Sequence, residues 1–117
     1  MNTIFIKLND YITCNKGVTP DEGEPIYNHI VESLKKGDKV ILDFSNVEMM
    51  TTAFLNVVIG NLYKDYTSEQ LKSMLSFENL SESIAFRIKK VTDNAKLFYS
   101  NEDRFNQDIE EAINGGK

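Results

Sequence analysis

Few residues in this chain are of types that do chemistry, and their spacing limits what they can do. Cys14 is the only cysteine and His29 the only histidine, so neither an intrachain disulfide nor a thiolate metal cluster can be built. A nucleophilic cysteine needs a base beside it, and His29 falls in the middle of a helical pattern. No glycine-rich turn opens a helix, and there is no Gly-Lys-Thr phosphate loop. Asp10, Asp43 and Glu48 fall near the ends of expected strands, where α/β sites gather. A small enzyme or ligand carrier working through those carboxylates is therefore one function class. Asp43 has a simpler role open to it, accepting hydrogen bonds from the backbone of the loop that follows. Thr51 and Thr52 stand directly ahead of an apolar run, where a side-chain oxygen can cap a helix.

The elements that must position these residues follow from periodicity. Ile4, Ile6 and Leu8 alternate with Phe5 and Lys7, which predicts a strand over residues 3–8, and residues 11–14 offer a short second one. Thr19, Pro20 and Glu22 form a capping box with proline at the first helical position, and Ile26, Ile30 and Leu34 then recur every four residues up to the stop at Gly37. Residues 39–44, Lys-Val-Ile-Leu-Asp-Phe, are a nearly continuous apolar run, as expected of a central strand covered on both faces. Phe54, Leu55, Val58, Ile59 and Leu62 make a broad helical stripe over residues 53–63. Residues 74–78 suit a further short strand. Ser81 is an N-cap for a helix through about residue 98, on which Ile84, Ile88, Val91 and Ala95 keep the period. Asn101 is the cap expected for a separate last helix carrying Phe105, Ile109 and Ile113, ended by Gly115 and Gly116. Side by side, the basic Arg87, Lys89, Lys90 and Lys96 of the first would complement the acids of the second.

Alternation of strand and helix predicts one α/β domain over residues 1–117, with a small mixed central sheet of three to five strands and about four helices. The chain carries 13 basic and 18 acidic residues for a net charge of −5, the wrong sign for gripping nucleic acid or anionic lipid through its overall field. No apolar run is long enough to span a bilayer and no leader pattern opens the sequence, so the expectation is a cytoplasmic protein without nucleic-acid or membrane partners. Missing ligand sets predict no metal and no cofactor.

Over residues 40–60 the chain reads Val-Ile-Leu-Asp-Phe-Ser-Asn-Val-Glu-Met-Met-Thr-Thr-Ala-Phe-Leu-Asn-Val-Val-Ile-Gly. An apolar strand ending in Asp, a short loop, and a hydroxyl residue opening the next helix resemble the STAS domain signature. The hydroxyl, Ala and Phe leading into the helix, with Asn56 following, resemble still more closely the bacterial STAS-like family of uncharacterised function. In anti-sigma factor antagonists of the STAS type, the hydroxyl at the helix start is phosphorylated by a kinase of the histidine-kinase-like ATPase fold, which breaks the complex. The resemblance therefore implies a non-enzymatic regulatory module with a protein partner, such an ATPase being the class it suggests, and Thr52 as phospho-acceptor with Thr51 as the neighbouring candidate. It also implies a docking surface of Val47, Glu48, Met49, Met50, Thr51, Thr52 and Phe54. The antagonist pattern has an aspartate before the acceptor and glycines after it, whereas this chain has Thr51 before and Ala53-Phe54 after. A purely structural oligomerisation adaptor, with Thr52 only capping its helix, is the third class.

Overall fold

The computed structural model describes the backbone of residues 2–113 and the side chains of residues 2–99. Strands β1 (Thr3–Lys7), β3 (Lys39–Asp43) and β5 (Leu75–Glu78) form one sheet in the order β1-β3-β5. All its pairings are parallel, with Phe5 opposite Ile41 and Ile41 opposite Ser76. Two-residue strands β2 (Lys16–Gly17) and β4 (Met49–Met50) make a second, parallel pair. The helices are α1 (Pro20–Lys35), α2 (Thr52–Val58), α3 (Ser68–Met74) and α4 (Glu82–Ile113), with a 3-10 segment at Gly60–Lys64 continuing from α2.

Local chemistry starts each helix where it should. Thr19 Oγ1 accepts from the Glu22 amide and the Glu22 carboxylate accepts from the Thr19 amide, closing the capping box with Pro20 at the first position. Thr67 and Gln70 repeat the device on α3, and Ser81 Oγ accepts from the Ile84 amide at 3.2 Å to start α4. Ile26, Ile30 and Leu34 of α1 are buried as their spacing requires, and so is the α2 stripe of Phe54, Leu55, Val58, Ile59 and Leu62. These meet Ile6, Val40 and Leu42 from the sheet and Ile84, Ile88 and Val91 from α4 in one core.

Four expectations need correction. Residues 11–14 form a turn with a single bridge from Thr13 to Lys16, because Cys14 (φ 54°) and Asn15 (φ 61°) adopt left-handed backbone that no strand can contain. The central strand β3 is covered on one face only: Val40 and Leu42 are fully buried, but Ile41 is half-buried and its neighbour Phe5 is 64% exposed. The helical run after Thr52 tightens into 3-10 geometry at Gly60, a residue of low helical propensity. Finally, Asn101 does not cap a new helix. No glycine or proline interrupts residues 82–113, so α4 runs through and its basic and acidic halves cannot lie side by side within one chain. The side chains of Phe105, Ile109 and Ile113 and the stop at Gly115 and Gly116 lie outside the described residues.

Gly17 of β2 lies directly against Phe54 of α2. A Cβ built on it would lie 2.9 Å from the ring of Phe54, and that ring is fully buried and has nowhere to move. Gly17→Ala should therefore cost roughly 1–3 kcal/mol, the usual penalty for overpacking a filled core. Chemical denaturation measures it, and an unchanged midpoint would contradict this packing.

Candidate functional site

The two threonines at the start of α2 have different jobs. Thr51 is the N-cap, extended in backbone, and its Oγ1 accepts from the Phe54 amide at 3.1 Å. The same hydroxyl donates to the Val18 carbonyl at 2.8 Å, and the Thr51 amide donates to the Gly17 carbonyl at 2.9 Å. Thr51 thus staples the start of α2 to the segment leading into α1, and both hydrogen-bonding functions of its hydroxyl are used. Thr52 is the first helical residue and is exposed. The capping role considered for Thr52 therefore belongs to Thr51, one residue earlier.

Around Thr52 lies an open groove of about 580 Å³, lined by Thr52 together with Glu82, Ser83, Phe86, Arg87 and Lys90 from the first turns of α4. The Arg87 guanidinium is anchored, donating from Nη1 to the Met50 carbonyl at 2.7 Å. Lys90 Nζ stands 5.7 Å from the centroid of the Phe86 ring, a ring 64% exposed to solvent. The groove therefore combines two hydroxyls, two cations, one carboxylate and an exposed aromatic face. Planar donors held beside a free hydroxyl suit a phosphoryl or carboxylate group.

Of the surface expected from the resemblance, Glu48 and Thr52 are exposed, and Val47, Met49 and Thr51 are half-buried. Met50 and Phe54 are fully buried and cannot touch a partner; alternation along β4 and the helical stripe turn them into the core. Arg87 and Lys90 were not legible as site residues, since they lie more than thirty positions downstream and only the path of α4 brings them beside Thr52.

The three strand-end carboxylates do not gather as one group of metal-ligating side chains. Asp10 lies exposed in a 3-10 turn after β1, and Glu48 is exposed with its amide donating to the Asn15 carbonyl. Asp43 Oδ1 accepts from the Ser45 hydroxyl (2.6 Å), the Ser45 amide (3.0 Å) and Asn79 Nδ2 (2.8 Å). This is the loop-organising role expected of it, joining the ends of β3 and β5. The Ser45 hydroxyl first, then Asn79 and the Ser45 amide, hold the Asp43 carboxyl below the ordinary aspartate range. His29 Nδ1 lies 3.0 Å from the Tyr11 hydroxyl, whereas Cys14 is exposed. Among the described residues no three His, Cys, Asp or Glu side chains gather as a metal site, and no helix is long and apolar enough to cross a membrane.

A parallel sheet alternating with helices, with Thr52 opening the helix after β4, agrees with the STAS-like resemblance. Residues 22–85, just over half of the chain, match the family described as STAS-like domain of unknown function (DUF4325), and the chain belongs to that family. No curated protein and no solved structure gives a significant match to it.

Thr51→Ala should cost about 1–2 kcal/mol through the lost cap and the lost bond to Val18, whereas Thr52→Ala should change stability by less than about 0.5 kcal/mol. Equal effects in thermal denaturation would contradict this division of roles. Because the folded Asp43 carboxyl titrates below its unfolded value, its contribution is present above the ordinary aspartate pKa and is lost as pH falls through the folded one. Asn79→Gly keeps the left-handed backbone (φ 59°) and removes one donor to Asp43. The carboxyl titration followed by NMR should move up, and the stability deficit of the variant should fade in acid. A deficit as large in acid as at neutral pH would refute the assignment.

Proposed function

We propose that this chain is a non-enzymatic regulatory module that docks a protein partner over Val47, Glu48, Met49 and Thr52 and the adjoining face of α4, with Thr52 as the phospho-acceptor that switches the complex. The observation that carries the reading is the split between the two threonines: Thr51 is committed to capping and stapling, and Thr52 presents a free, exposed hydroxyl beside Arg87 and Lys90. A phosphate on Thr52 adds close to two negative charges and strong acceptor oxygens, for which an anchored guanidinium and an ammonium are ready partners. The folded domain therefore tolerates the charge, while a partner surface complementary to a neutral hydroxyl would have to desolvate it. Fold and affinity respond differently, which is what a switch requires. Likeness to the anti-sigma factor antagonists suggests an ATPase of the histidine-kinase-like fold as the class of partner. That Asp10, Asp43 and Glu48 do not gather as one such group favours this reading over a carboxylate enzyme.

Thr52→Glu should leave the melting temperature nearly unchanged and weaken binding of the partner captured from the native host by about tenfold or more, while Thr52→Ala binds within about twofold of wild type. Titration calorimetry with that partner decides the matter: a Glu variant binding as tightly as wild type would remove the charge switch.

A further inference from the structure

Charge is segregated along α4. Its first part, residues 82–99, carries Arg87, Lys89, Lys90 and Lys96 against Glu82 and Asp93, and the remainder, residues 100–113, carries Glu102, Asp103, Asp108, Glu110 and Glu111 against Arg104 alone. In the first part Lys89 is paired with Asp93 at 3.1 Å. Among the described residues neither Arg87 nor Lys90 forms an ion pair. Three large apolar side chains of the same helix stand in solvent: Phe86 at 64%, Leu97 at 61% and Phe98 at 63% exposure. The acidic part cannot relieve this within its own chain. At 1.5 Å per residue along an unbroken helix, Asp108 is roughly 30 Å from Arg87.

We propose that a second copy supplies the missing partner: two α4 helices lie antiparallel, and the acidic segment 102–111 of each chain docks over the groove of Thr52, Arg87 and Lys90 of the other. The register supports a closed two-fold pairing. A two-fold axis that sets Arg87 opposite Asp108 of the second copy also sets Phe86 opposite Ile109 and Lys90 opposite Phe105, and it brings the exposed Leu97 and Phe98 together at the axis. Both grooves and both acidic segments are used once, so the interface is isologous and stops at a dimer. This pairing goes beyond the role assigned to Thr52 and does not depend on it, but it covers the same groove. Self-association and partner docking then compete for one surface.

The test uses the full chain and two charge reversals, Arg87→Glu with Lys90→Glu in one protein and Asp108→Lys with Glu111→Lys in the other. Wild type should sediment at twice the 13.4 kDa chain mass in the micromolar range, with a dimer dissociation constant that rises several-fold at high salt. Each reversed protein alone should be monomeric, because positions 87 and 90 then carry the same sign as positions 108 and 111. An equimolar mixture of the two should restore the dimer, since positions 87 and 90 of each chain meet the opposite sign at positions 108 and 111 of the other. Arg87 also bonds Met50, so loss of the dimer in the first variant alone would not separate pairing from folding; recovery in the mixture does. A wild type that stays monomeric at all concentrations, or a mixture that fails to associate, would overturn the proposal. So would a dimer that survives both reversals, which would move the contact to another surface such as the open sheet face around Phe5 and Ile41.

Discussion

The structure around the site depends on the burial of one side chain, Phe54. It is the third residue of α2, it is fully buried, and its ring fills the space beside Gly17 where a side chain would otherwise stand. Burying a phenylalanine contributes about 2–3 kcal/mol, enough to fix the rotation of a helix only seven residues long. With Phe54 inward, β2 has to pass close beneath it and pair with β4, and Thr51 comes within reach of the Val18 carbonyl. The next residue, Thr52, is then turned outward. Both the cap and the exposed hydroxyl follow from where that ring sits.

Much of this was legible in the sequence because the signals are local. The Thr19 box, the four-residue spacing of α1 and the alternation in β1 each specify geometry within one element, and each element formed as expected. What could not be read is what depends on distant chain. The pair β2 and β4 has two residues per strand, too short for any period, and exists because backbone groups from two loops meet. That β3 would be covered on one face depends on where the helices pack, and its apolar run reads the same either way. Asn101 is a residue type found both at caps and inside helices, so by itself it did not decide between one helix and two.

At the site, the sequence showed two adjacent hydroxyls, and a shift of one residue in the helix start exchanges their roles. Thr51 also gives a physical sense to this chain's departure from the antagonist pattern. The position before Thr52, the acceptor proposed above, belongs to the residue that caps α2, and threonine and aspartate are both good caps. Phe54, where that pattern has small residues, is spent on the core. Arg87 adds a connection that sequence order hides. Through its 2.7 Å bond to the Met50 carbonyl, the guanidinium that faces the groove also holds the strand leading into α2. The guanidinium N–H groups that Met50 does not use are left to meet a negative charge at Thr52, so the anchor and the groove share one side chain.

The most direct test of the account is the location of phosphate on protein isolated from its own host, by mass spectrometry of the peptide containing Thr51 and Thr52. The account predicts modification on Thr52, with Thr51 unmodified because its hydroxyl is engaged on both sides. Phosphate on Thr51, or a peptide unmodified in every growth condition in which the protein is made, would contradict it.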